Sequence, residues 1–396
     1  MNIKEQIKHR AGAYLEEITS IRRHIHSHPE LSFKEYETCT YISSLLESWQ
    51  ISHKKGVAGT GIVAIIEGKD PGSRTFALRA DIDALPIHEK NEVDYKSKNE
   101  GVMHACGHDV HTASLLGVVK ILSGLKDHFS GTLKFIFQPG EEKSPGGASL
   151  MIKEGVLKDP NPSAILGQHV MPLINAGKVG FRKGMYMAST DEIYIKVKGK
   201  GGHGAFPHLN IDPVLIGSHI IVALQQIVSR NAKPTMPSVL SFGRFIAEGA
   251  TNIIPDEVNI AGTFRTFDES WRAEAKEKMK KMAESIAEGM GAKCEFTIEQ
   301  GYPHLINDEK LTDWARKEAE SFLGVENVED LDLWMAGEDF AFYTHQLPGC
   351  FYRLGIRNEA KGITSSVHTP TFNIDESALE TGMGLMSWLA VQYLQS

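Results

Sequence analysis

Four runs constrain the fold most: residues 60–68, 75–86, 131–137 and 164–170 read as short, almost wholly apolar strands. A strand apolar on both sides needs cover on both faces of its sheet. Alternating strands with helices supplies that cover, so the expected class is α/β, a central mixed sheet flanked by helices. The helical spacing of Leu15, Ile18, Ile21 and Ile25, stopped by Pro29, predicts one flanking helix. Others are expected over Phe33–Trp49 and His111–Leu125.

These strands run out onto side chains that bind metals or move protons. A-D-I-D-A-L-P puts Asp81 and Asp83 at one exit, F-Q-P-G-E-E puts Glu141 and Glu142 past another, and G-Q-H-V places His169 at the far end of a third. Functional groups in α/β proteins gather at the carboxyl ends of strands. A single histidine at a strand end is most simply a core residue; three such exits are not explained that way. Between them lies M-H-A-C-G-H-D-V-H, residues 103–111, which gathers His104, Cys106, His108, Asp109 and His111. Thiolate and imidazole are ligands for a borderline-soft divalent ion, and Gly107 lets the backbone bend so that both converge. The run H-I-H-S-H-P, with His24, His26 and His28, reads instead as a solvated helix end beside Arg22, Arg23 and Glu30. One helical turn cannot aim all three rings at one ion.

Composition changes near Ser189. Ile193, Ile195 and Val197 alternate with Tyr194, Lys196 and Lys198, the pattern of a strand with one face exposed. Strand, helix, two strands, helix, strand then follow, the split pattern of a ferredoxin-like α+β sandwich. Two domains are therefore expected: a catalytic one over 1–187 and 300–396, and an inserted lid or dimerisation domain over 188–299. A net charge of −8 argues against nucleic acid as a main partner, since phosphate binding needs a positive field. Cys39, Cys106, Cys294 and Cys350 are too scattered for a disulfide framework. The first ten residues lack a signal peptide's apolar core, and no run approaches the roughly 18 apolar residues of a membrane span. The expectation is a cytoplasmic protein with no membrane partner.

The motifs A-D-I-D-A-L-P, M-H-A-C-G-H-D-V-H-T-A, F-Q-P-G-E-E, G-Q-H-V, G-G-H-G-A-F-P-H, G-E-D-F-A-F-Y and V-H-T-P-T-F-N occur in that order over nearly the whole chain. In this the sequence resembles the amidohydrolase branch of the di-metal aminoacylase/carboxypeptidase-like peptidases, which includes hippurate hydrolases, auxin-conjugate hydrolases and N-acetyl amino acid deacetylases. The resemblance implies two divalent ions, manganese, zinc, nickel or cobalt, held by Cys106, His108, Glu142, His169 and His368, with Cys106 as the bridge. It implies Glu141 as general base, His203 as a lid histidine reaching a partner subunit's site, Asn252 and Arg265 as substrate contacts, and Asp83 as a carboxylate orienting a ligand. Gly140 stands where alanine is more usual, a departure expected to change little beyond local flexibility.

The chemistry agrees. Two metals roughly 3.5–4 Å apart share a water and polarise a carbonyl, Glu141 would shuttle the proton, and Arg265 would grip a carboxylate by a forked pair. The expected activity is hydrolysis of N-acyl-L-amino acids, small-molecule substrates, by a homo-oligomer, a dimer or a dimer of dimers. A dipeptidase or carboxypeptidase is the alternative enzyme, and a non-catalytic metal- or metabolite-binding protein the alternative of another class. Met187, Phe206, Leu209 and Trp334 could line an acyl pocket, or equally serve as core or interface.

Overall fold

The structure, a computed structural model, describes residues 1–395. It divides into two compact units: Met1–Gly184, Ile306–Asp332 and Asp339 onward form the first, and Met185–Leu305 with Leu333–Glu338 the second. The second unit thus begins and ends a few residues outside 188–299 and also takes in the short return segment Leu333–Glu338.

In the first unit the strands β1 (Ser52–Val57), β2 (Gly61–Glu67), β3 (Thr75–Asp81), β4 (Thr132–Gln138), β5 (Ala164–Asn175) and β6 (Val179–Phe181) join Val328–Asp330 and Gly349–Arg357. Among the described residues they make an eight-stranded mixed sheet, in which β4, β3, β5 and Gly349–Arg357 run parallel at the centre. Every residue of β3 and β4 is buried, as strands covered on both faces require. The helices α1 (Ile3–Ser27), α2 (Tyr36–Ser48) and α3 (His108–Ser123) follow the predicted periodicities. Helix α3 starts three residues before the expected His111, so it opens on His108. The core joins Ile18 and Ile25 of α1, Leu115 and Val119 of α3, Leu78 and Phe135 of the sheet, and Leu385 of the last helix, Ala378–Gln395.

Two local expectations are corrected. The end of α1 is not solvated throughout: Arg22 and His26 are fully buried, one helical turn apart on its inner side. The Arg22 Nε lies 2.7 Å from Asp109 Oδ2, and His26 donates from Nδ1 to that same oxygen (2.8 Å) and from Nε2 to Glu89 Oε1 (3.1 Å). Burial and Arg22 act to lower the His26 pKa, but Asp109 and Glu89 outweigh them and raise it. The second correction concerns His169, which lies within β5 rather than at its far end, because the strand continues to Asn175 alongside Gly349–Arg357.

The second unit is an antiparallel four-stranded sheet in the order Ser238–Ile246, Glu257–Thr266, Asp191–Lys198, Lys293–Gln300. This is the order of the ferredoxin-like split pattern. Ile193, Ile195 and Val197 face helices Pro213–Leu224 and Glu269–Gly289 through Ile216, Ile220, Ala275 and Met279. Arg272 clamps the buried Asp191 carboxylate with two bonds, of 2.7 and 2.9 Å. Contrary to expectation, Pro213–Asn231, 19 residues, is long and apolar enough by composition to cross a membrane. Its Ile216, Ile220, Leu224 and Ile227 are buried in this unit's core.

Candidate metal centre

The centre is assembled where β3 and β4 end beside β5. Residues after β3 supply Asp83, the turn after β4 supplies Glu141 and Glu142, β5 supplies His169, the first residue of α3 is His108, and Cys106 lies two residues before it. A distant loop brings His368, whose N–H donates to Ala105 O (2.7 Å) and whose φ of 61° lies in the left-handed region. Gly107 makes the bend between Cys106 and His108 at φ 83°. A Cβ at Gly107 would lie 2.6 Å from Val170 Cγ2, so the close approach of α3 to β5 needs glycine there.

Among the described residues, five groups of three donor atoms lie within 4.8 Å of one another, and two of these share Cys106: Cys106, His108 and His169, and Cys106, Glu142 and His368. Cys106 Sγ lies 3.4 Å from His169 Nε2 and 3.3 Å from His368 Nε2. His368 Nε2 lies 3.2 Å from Glu142 Oε1. Ring tautomers follow from the partners. His108 donates from Nδ1 to Asp83 Oδ1 (3.1 Å), and His169 from Nδ1 to the Val170 carbonyl (2.8 Å), which turns each Nε2 inward. Asp83 Oδ2 accepts from Ser32 Oγ (2.7 Å) and from the Glu142 N–H (3.0 Å), so one carboxylate orients two donors.

The electrostatics fit cations. His108 Nε2 is buried and has no hydrogen-bond partner among the described residues, yet Asp81, Glu141 and Glu142 oxygens lie 3.7, 4.0 and 4.0 Å away. Burial acts to lower the His108 pKa, but Asp81 and Asp83 override it and carry it to about 10. Burial, then Glu142, Glu141 and Asp81, push the Cys106 thiol well up. A thiol ringed by carboxylates is protonated by its own surroundings, and divalent ions reverse that balance by holding it as thiolate. His169 is pushed well down by burial, then by Arg353 and His111, which leaves the neutral imidazole that ligation needs. The donor set therefore fits divalent ions, which Cys106, His108, Glu142, His169 and His368 would hold.

Residues 77–392 match Peptidase family M20/M25/M40. The chain belongs to this family. Similar M20 proteins include the N-acyl-L-amino acid amidohydrolase of Geobacillus stearothermophilus, 43% identical over 304 residues covering 77% of this chain and 81% of that protein. Thermostable carboxypeptidase 2 of Saccharolobus solfataricus is 39% identical over 396 residues, 99% of each chain. The crystal structure of the Bacillus subtilis YXEP protein, a dinuclear metal binding peptidase from the M20 family, aligns at TM-score 0.84 and 36% identity, covering 97% of this chain and 99% of that one. This M20 chain is a metal-binding hydrolase of the amidohydrolase branch, and dinuclear metal binding is typical of the family.

Not every predicted M20 site residue gathers here. His203, Asn252 and Arg265 belong to the second unit. His203 and Asn252 are neighbours there: His203 pairs opposite Ile253, and the Gly204 N–H donates to Asn252 O (2.8 Å). Arg265 lies on another strand, opposite Val239, with its Nε donating to Thr263 Oγ1 (3.1 Å). Phe206 and Leu209 beside His203 are exposed, so they are not core. His104 is buried with neither ring nitrogen hydrogen-bonded among the described residues, and burial pushes it down to about 4. Sequence reading missed the carboxylate–guanidinium network beneath the site. The buried Arg79 donates to Asp81 Oδ2 (2.6 Å), Asp339 Oδ1 (2.8 Å) and Gln138 Oε1 (2.9 Å). An arginine inside an apolar strand was its one available signal.

Gly140 also differs from expectation. Its φ is 59°, its N–H donates to Glu35 Oε1 (2.8 Å), and an added Cβ would lie 2.3 Å from the Phe33 ring. Glycine here is demanded by Phe33, not a neutral departure.

Proposed function

We propose that this M20 hydrolase cleaves the amide bond of N-acyl-L-amino acids of the N-acetyl or N-benzoyl type, releasing the amino acid and a carboxylic acid. The supporting observation is a buried thiol shared by two donor groups, with a second carboxylate, Glu141, beside them. The match to an N-acyl-L-amino acid amidohydrolase accords with it. Cys106, His108, Glu142, His169 and His368 would hold the ions. When bound, the ion pair supplies the Lewis acidity that makes water nucleophilic near neutral pH and polarises the amide carbonyl. Manganese, zinc, nickel and cobalt all suit a thiolate, imidazole and carboxylate set.

The chain's own groups do the rest. Glu141 takes the attacking water's proton and passes it to the leaving nitrogen, so amine rather than amide anion departs. Asp83 keeps His108 and Glu142 aimed. His203, delivered by a second copy of the chain, donates to the developing oxyanion. Arg265 pairs with the substrate carboxylate and Asn252 adds a polar contact. The unpaired thiols suit a reducing cytoplasm.

A carboxypeptidase or dipeptidase reading is favoured by the full-length similarity to thermostable carboxypeptidase 2. The two separate on paired substrates: a dipeptide, and the N-acetyl amino acid that keeps its C-terminal side chain. Faster turnover of the acetylated compound by metal-loaded protein is expected. Preference for the dipeptide, or inactivity on a broad acyl-amino acid panel, contradicts the proposal.

A further inference from the structure

Strand β3 pairs with β5 only as far as Arg79 opposite Gly167, so beyond that point the β3 side of β5 has no strand partner among the described residues. The buried Val170 N–H lies beyond that point, and it donates to His111 Nε2 (2.9 Å). The other nitrogen of His111 donates to Asp81 Oδ1 (2.5 Å), and Asp81 is itself held by Arg79. A carboxylate on one side and an N–H on the other fix a single neutral tautomer and leave no lone pair for an ion. Val170 is thus held at its N–H by His111, while its carbonyl accepts the Nδ1–H of His169 (2.8 Å). The carbonyl that orients His169 belongs to a residue whose place is set by His111.

We propose that His111 is a positioning residue that fixes the tautomer and aim of His169 through the Val170 backbone. The inference rests on the reading of Cys106, His108, Glu142, His169 and His368 as holders of two ions. It makes a prediction that general packing does not: only the ion whose donors include His169 should suffer. Outer partners of metal-ligating histidines are commonly worth about 10–100-fold in metal affinity.

The test is calorimetric titration of zinc into metal-free full-length chain, with circular dichroism confirming the fold of each variant. His111→Gln carries an amide oxygen about as far out as Nε2 and so can still accept from Val170. His111→Met matches glutamine in size but lacks the acceptor, and His111→Asn is too short to reach; the asparagine form decides the question if the methionine form does not fold. Two zinc ions per wild-type chain are expected. In the Met or Asn variant one ion should weaken by about 10–100-fold and the other hold, with Gln restoring most of the loss. The proposal is overturned by wild-type affinity in the Met or Asn variant, by equal weakening of both ions, or by a glutamine form no better than its methionine counterpart. Fewer than two ions in wild type would instead overturn the two-ion reading, and this inference with it.

Discussion

At the scale of single residues the account turns on adjacent glutamates doing different work. Both lie 4.0 Å from His108 Nε2, but only Glu142 shares a donor group with Cys106 and His368. Glu141→Gln should lower turnover by about 10²–10⁴-fold with metal content unchanged, read by steady-state assay and elemental analysis. Loss of metal instead would mean that the two glutamates have exchanged roles. Gly140→Ala should destabilise by about 1–3 kcal/mol, since its Cβ meets Phe33, and thermal melting checks this. A further Phe33→Ala change should then recover part of the loss. Ligand-type side chains were legible in the sequence because Cys106, His108 and the glutamate pair stand in short runs. Gly140 was not, because the ring that excludes a methyl group there comes from Phe33, distant in sequence.

At the scale of elements, α1 and α3 are pinned by a buried ion pair just behind the centre. Burial would raise the Asp109 carboxyl, but Arg22 and His26 hold it well below the usual range. Asp109→Asn leaves the buried Arg22 with only the longer carboxylate contact, to Glu376 Oε1 (3.5 Å), and should cost about 3–5 kcal/mol in denaturant unfolding. Replacing both partners, Arg22→Met with Asp109→Leu, should cost less than the single change. Amphipathic spacing made α1 legible, yet it could not show that Arg22 faces inward, because Asp109 lies far along the chain. Strand β5 misled for a similar reason: its length past His169 is set by pairing with Gly349–Arg357, which no local pattern announces. In the second unit, burial acts to raise Glu269, but His304 and Arg272 carry it down to about 2. Its folded pKa lies below the unfolded value near 4.3, so this stabilisation is present above that value and fades as pH falls toward 2. Melting curves between pH 7 and 3 should therefore show Glu269→Gln less acid-sensitive than wild type; equal acid sensitivity would contradict the assignment.

At the scale of the whole molecule, the α/β class and the ferredoxin-like insertion were legible because apolar runs and alternating runs place different demands on a sheet. The unit boundaries were less so: Leu333–Glu338 returns to the second unit in a segment whose composition gives no sign of it. The whole-chain prediction is that chelation removes activity and that a divalent ion restores it. The most direct measurement is anomalous diffraction from crystals of zinc-loaded protein. The account predicts two peaks per chain, both within about 2.3 Å of Cys106 Sγ, one also touching His108 and His169 and the other Glu142 and His368. A single peak, or two peaks that do not share Cys106, would contradict it.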